Sequence, residues 1–177
     1  SGAMLVSDQA IWKNSQGTYS LRTTPFGIST QLCKDEPFWT QPNPGYCSGV
    51  LIGPDLLLTA GHCVMSADRC KVTRIVFDYT WDPATGKDGL TVDPKQVRSC
   101  KRLLVQAAAL AGPDFAVIQL DAPVTDRAFL ELATQDPLKG TELIVVGHPN
   151  GLPQKITFGG KVLTDSVGGF YNADVDT

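Results

Sequence analysis

Apolar residues along this chain come in short runs broken by glycine, proline and aspartate, the pattern of an all-β protein. Residues 46–52 and 55–59 are two such runs. They are joined by Gly53-Pro54-Asp55, a turn signal that predicts a hairpin. Residues 72–77 alternate well enough for a half-buried strand, and residues 97–105 read as another. The alanine-rich stretch after that strand suits a short helix as well as a strand. Between them, residues 78–93, with Pro83, Gly86 and Gly89, read as a long surface loop. Residues 115–120 form a strongly apolar strand ending at Asp121. Further strands are expected at 143–146 and 155–163, flanking the turn-rich Gly147-His148-Pro149-Asn150-Gly151.

These elements divide the chain. Residues 5–121 have enough strands for a complete small barrel, and residues 122–139, with Pro123 and Pro137, read as a connector. Residues 140–177 hold only the two or three opening strands of a second barrel. Ser1-Gly2-Ala3-Met4 has the look of a cloning scar and is set outside the fold.

Composition narrows the function classes. Net charge is −3 with no Lys/Arg stripe, so neither nucleic acid nor an anionic membrane is an expected partner. The longest apolar run, residues 103–110, is interrupted by Gln106 and is too short to span a bilayer. Five cysteines, at 33, 47, 63, 70 and 100, include no CxxC pair, and there are only two histidines. Disulfides are therefore expected rather than a metal site or cofactor, and with them an oxidising compartment, secreted or periplasmic. Cys47 and Cys63 flank the predicted hairpin, and a bridge between them would clamp the turn that carries His62. Cys70 with Cys100 would tie two neighbouring strands, leaving Cys33 over; Cys33–Cys70 and Cys33–Cys100 stay open as alternatives.

The chemistry concentrates in Cys47-Ser48-Gly49-Val50-Leu51-Ile52 and Leu58-Thr59-Ala60-Gly61-His62-Cys63. A histidine acting as general base must be fixed in orientation and tautomer while one ring edge stays open. A tight turn of small residues beside a disulfide does both. The acid that orients it should be desolvated at the mouth of a buried strand. Asp114 stands there, ahead of Phe115-Ala116-Val117-Ile118-Gln119-Leu120, whereas Asp121 leaves the strand as a turn residue. His148, among proline and glycines, reads as a turn histidine rather than a ligand or second base.

The TAGHC segment after a CSGxLI strand resembles the histidine box of chymotrypsin-like serine proteases, especially their bacterial glutamyl-endopeptidase-like branch. Asp114 with its DxAVIxL strand is similar to that family's aspartate box. The resemblance covers roughly residues 20–177 and implies a chymotrypsin-like double β-barrel acting as an endopeptidase on polypeptide substrates. His62 would be the base and Asp114 its orienter. The family's nucleophile sits in a glycine-rich GNSGSP or GDSGGP loop, and no such loop occurs here. Ser166, in Thr164-Asp165-Ser166-Val167-Gly168-Gly169, echoes it but has valine where the close glycine belongs.

The resemblance thus places the serine beyond Thr177 or on a second chain, the protein's own C-terminal fragment after a nick, and this chain alone is expected to be inactive. A catalytically dead homologue serving as a binding module, and a cysteine in place of the serine, are the competing readings. No Ile-Val-Gly-Gly-type N-terminus is visible, so trypsin-style activation is not expected.

Overall fold

A computed structural model describes residues 1–85, 89–109, 112–166 and 170–175. In chain order its strands are β1 (Gly2–Ser7), β2 (Ile11–Lys13), β3 (Tyr19–Leu21), β4 (Gly45–Leu51), β5 (Leu56–Thr59) and β6 (Thr73–Phe77). They continue with β7 (Thr91–Val92), β8 (Val97–Ala108), β9 (Asp114–Leu120), β10 (Glu142–Gly147), β11 (Lys155–Val162) and β12 (Ala173–Asp174). Among the described residues, helix is confined to two single turns, α1 (Phe26–Ser29) and α2 (Ala67–Lys71), and short 3₁₀ turns.

Six strands close into a barrel in the order β1-β4-β5-β9-β8-β6, with β6 returning to β1. Its interior is filled by Leu5, Leu51, Leu57, Ile75, Phe77, Ile118 and Leu120, all essentially without solvent contact. Closure leaves no free edge among these strands, so their backbone groups are paired all round.

The first four residues were set outside the fold, and the structure places residues 2–4 inside it. Strand β1 runs antiparallel between β4 and β6, and Ala3 and Met4 are fully buried. The strand's period of two explains why both faces are covered. Ala3 and Leu5 point into the barrel core, while Met4 and Val6 join a second cluster with Ile11, Leu21, Val76, Tyr79 and Val92.

That second cluster lies under a small sheet, β2-β3-β7. Residues 8–44 are thus an excursion between two barrel strands that supplies β2, β3 and α1. The segment expected to be a plain loop, 78–93, contributes β7, paired through Val92 to Tyr19. Burial of Val92 in the second cluster holds that short strand. Residue 86 of that segment lies outside the described residues.

The alanine-rich stretch is strand through Ala108, because β8 pairs with β9 from Cys100↔Leu120 to Ala108↔Asp114. A hairpin partner outweighs the helix propensity of three alanines. Leu110, the end of the apolar run, lies outside the described residues.

The connector carries no strand. It is held to the barrel by Val124 N–H donating to Pro54 C=O (2.7 Å) and Leu130 N–H to Leu51 C=O (2.8 Å). Arg127 also grips Asp78 with both guanidinium nitrogens at 2.8 and 3.0 Å. Beyond it, β10-β11-β12 form a three-stranded antiparallel sheet. This sheet meets the barrel at the turn after β10. His148 N–H donates to Ser48 Oγ (2.7 Å), and Gln154 N–H to Tyr79 C=O (2.9 Å). Gly151 is required there. Its φ is +73°, and a Cβ would collide with the Gly45 carbonyl.

Candidate active site

His62 sits in a 3₁₀ turn, Gly61–Cys63, at the end of β5. Two features fix the turn. Cys63 is bonded to Cys47 of β4, with Cα atoms 6.2 Å apart. Gly61 lies so close to the β8–β9 hairpin that a Cβ would strike the Ala107 carbonyl, so only glycine permits the approach. From the same hairpin, Gln106 Nε2 donates to Gly61 C=O at 3.3 Å.

The close approach brings Asp114, the first residue of β9, onto the histidine. Its Oδ2 lies 2.6 Å from His62 Nδ1, and its Oδ1 accepts the His62 backbone N–H at 2.9 Å. One carboxylate thus holds both the ring and the peptide that bears it. The hydrogen bond from the His62 side chain, then that from its backbone N–H, lowers the Asp114 pKa below the usual carboxylate range. An ionised carboxylate can only accept, so Nδ1 carries the proton facing it, and the neutral ring has its lone pair on Nε2. Among the described residues Nε2 has no hydrogen-bond partner, and the His62 side chain is 64% exposed.

Asp114 is not the desolvated acid that was expected. Its side chain is 40% exposed, and it is ordered by hydrogen bonds rather than by burial. Asp121, the competing acid, follows the opposite end of β9 from Asp114 and accepts the Ser99 N–H at 3.1 Å. Ser166 forms no hydrogen bond with His62 among the described residues, and its neighbours 167–169 lie outside them.

Cys70 bonds Cys100, with Cα atoms 5.3 Å apart, linking α2 to β8. Cys33 is free and exposed. Cys47, His62 and Cys63 bring potential metal-ligand atoms within 4.8 Å of one another. The two sulfurs are spent on each other, however, and only the imidazole retains a ligand lone pair.

His148 is a turn residue, but a buried one: it is 3% exposed, and its Nδ1 lies 3.0 Å from Leu152 C=O. Burial lowers its pKa, and its Nε2 is buried without a partner. The sequence held no signal of Gln106, because its role depends on the β8–β9 hairpin folding over the histidine turn.

Among curated proteins, none matches by sequence. Among solved structures, the scabies mite inactivated protease paralogue S-I1 is similar at 13% identity and a TM-score of 0.48. That match covers 92% of this chain and 60% of the other. The family of trypsin-like peptidase domains matches residues 47–174, a stretch that takes in both the histidine turn and Asp114. With its closed barrel and this match over most of its length, the chain belongs to the trypsin-like peptidase domain family.

Proposed function

We propose that the chain is the His–Asp part of a serine endopeptidase. His62 takes the proton of an incoming hydroxyl through Nε2 and later returns it to the leaving amine. Asp114 holds the ring and stabilises the imidazolium. The observation that carries this reading is the double grip of Asp114 on His62 Nδ1 and N–H, at 2.6 and 2.9 Å, with Nε2 left open. The nucleophilic serine comes from outside residues 1–177, whether further along the polypeptide or on a second chain. Two disulfides fit a protein working in the secreted or periplasmic space. Among the described residues, no helix is long and apolar enough to cross a membrane.

The apolar face of β10–β11 supports the same reading. Val146 pairs with Ile156, and Ile144 and Phe158 extend that face, all four being exposed. A segment carrying the serine would cover it. Intact-mass measurement tests the two-chain form: a co-purifying second polypeptide is expected, and a well-folded monomer of the 19.0 kDa chain alone would exclude it.

Catalysis is tested by casein cleavage. The purified 177-residue chain should be inactive. In the form that carries the nucleophile, His62→Ala should lower kcat by on the order of a million-fold. Asp114→Asn should lower it by about ten-thousand-fold. Cleavage by the 177-residue chain that survives His62→Ala would overturn the assignment.

A further inference from the structure

Strand pairing sets Thr59 of β5, Ala116 of β9 and Gln106 of β8 side by side, and directly paired residues share a face of the sheet. Ala116 is fully buried in the barrel core, so this row points inward. It lies at the end of the barrel where β5 runs into the histidine turn. Two of its three members are polar. A core-facing hydroxyl or amide is costly unless it is paired, and an aliphatic residue would serve the strand pattern as well.

Both polar side chains are paired to backbone carbonyls. Thr59 Oγ1 donates to Ser48 C=O at 2.7 Å, and Gln106 Nε2 donates to Gly61 C=O at 3.3 Å. The two bonds do different things. The first joins β4 and β5, which already pair through Gly49 and Thr59. The second reaches across the chain to the residue before His62.

The peptide unit between Gly61 and His62 is thereby held at both ends. Gln106 holds its C=O, and Asp114 Oδ1 accepts its N–H at 2.9 Å. The unit is planar, so anchors on its two opposite sides fix the rotation of the plane. That plane sets the direction of the His62 side chain, and hence which ring nitrogen meets Asp114 Oδ2. A donor on the carbonyl also polarises the amide and strengthens the N–H bond at the other end.

The turn needs such a restraint. A Cβ at position 61 would strike the Ala107 carbonyl and crowd that of Phe115, so the residue must be glycine. Glycine is also the residue that restrains its own backbone least. An outside group must supply the stiffness that the close approach gives up.

We propose that Gln106 is a positioning residue for His62, fixing the Gly61–His62 peptide by its carbonyl while Asp114 fixes it by its N–H. Its effect on catalysis rests on the protease reading above; the two-ended clamp does not.

The clamp is tested in the 177-residue chain, where no cleavage is required. Gln106→Met keeps the length of the side chain and loses the donor. Amide exchange at His62 should quicken about fivefold, the contribution of one neutral hydrogen bond. The Asp114 carboxyl, followed by NMR, should titrate closer to its ordinary value, because the bonds it accepts from the His62 side chain and backbone N–H both loosen. Gln106→Glu has the native shape, and its ionised carboxylate only accepts, so it should quicken exchange at His62 too. Thermal melts confirm that the variants fold. In the form that carries the nucleophile, kcat should fall about tenfold in Gln106→Met with KM unchanged, since a misplaced base costs chemistry rather than binding.

Unchanged exchange at His62 in the folded variants would overturn the proposal. So would a rise spread evenly over β5 and β9 with the Asp114 titration unmoved, which would reduce Gln106 to packing. A loosened His62 in a protein of which no form cleaves peptide would sink the protease reading and leave the clamp standing. Cleavage with an unchanged kcat beside faster exchange would keep the protease reading and remove Gln106 from catalysis.

Discussion

Phe77 and Phe158 both lie on antiparallel strands, yet Phe77 is 1% exposed and Phe158 is 70% exposed. The difference comes from what each strand's sheet does with its apolar face. The barrel rolls six strands into a closed wall, so side chains pointing inward meet one another and water is excluded. The β10-β11-β12 sheet has three strands and cannot close, so Ile144, Val146, Ile156 and Phe158 project from it unburied. Apolar alternation thus establishes that a strand will form and which residues share a face. It does not supply the surface that covers that face.

The sharpest break in this comparison would come from matched truncations. Phe77→Ala should cost about 3–5 kcal/mol in denaturant unfolding, through lost transfer energy and the cavity left behind. In the 177-residue chain by itself, Phe158→Ala should stay within about 0.5 kcal/mol, as surface substitutions do. A comparable loss at Phe158 would mean that its face is covered in solution, and the contrast between the regions would disappear.

The disulfides sharpen the same contrast, because both lie in the barrel region. Replacing Cys70 and Cys100 with serine opens a 30-residue separation and should cost about 3–4 kcal/mol. The 16-residue Cys47–Cys63 bridge should be worth about 3 kcal/mol. Thermal melts of the paired serine variants measure both. Only loss of Cys47–Cys63 should also loosen the His62 turn, seen as faster amide exchange at residues 61–63.

Arg127 is the clasp between connector and barrel. Its guanidinium bonds Asp78, Asp126 and Gln96 and lies 4.8 Å from the centre of the Phe77 ring. Arg127→Ala should cost about 1–3 kcal/mol. Arg127→Lys should recover little of it, since an ammonium cannot reproduce the two-pronged contact with Asp78. Full recovery in the lysine variant would reduce the clasp to a point charge.

The smallest effects are those of pH, and they separate junction from site. The folded-state pKa of His148 lies below its ordinary value of 6.5, so the unfolded chain binds the extra proton first. Its contribution to stability is therefore complete above that value and is lost as pH falls below it. Unfolding stability should decline from about pH 7 toward 5, and His148→Asn should flatten that decline.

Asp114 is depressed as well, so its contribution is present above the ordinary carboxylate value and is lost as pH falls through its lowered one. Asp114→Asn should remove only that acid limb, near or below pH 4.

The local chemistry was written in the chain. The small residues before His62, the cysteine after it, and the aspartate heading the most apolar strand pick out the His62–Asp114 pair proposed as the site, because a fixed histidine with an open edge admits few arrangements. Five of the six barrel strands, β4, β5, β6, β8 and β9, were legible from their apolar runs for a similar reason, since strand period and turn residues are local properties. What lay beyond the sequence depends on which distant segments meet. Residues 2–4 looked disposable until β4 and β6 closed on both sides of them. The alanines of β8 took their strand form from β9, and Asp114 turned out to be ordered by the His62 turn rather than by burial. His148 gave no sign of being buried, nor Lys155 of resting on Phe38 and Gln41. Each of these contacts joins residues far apart in the chain, and such contacts are set by barrel closure and by the packing of the excursion, which no local pattern encodes.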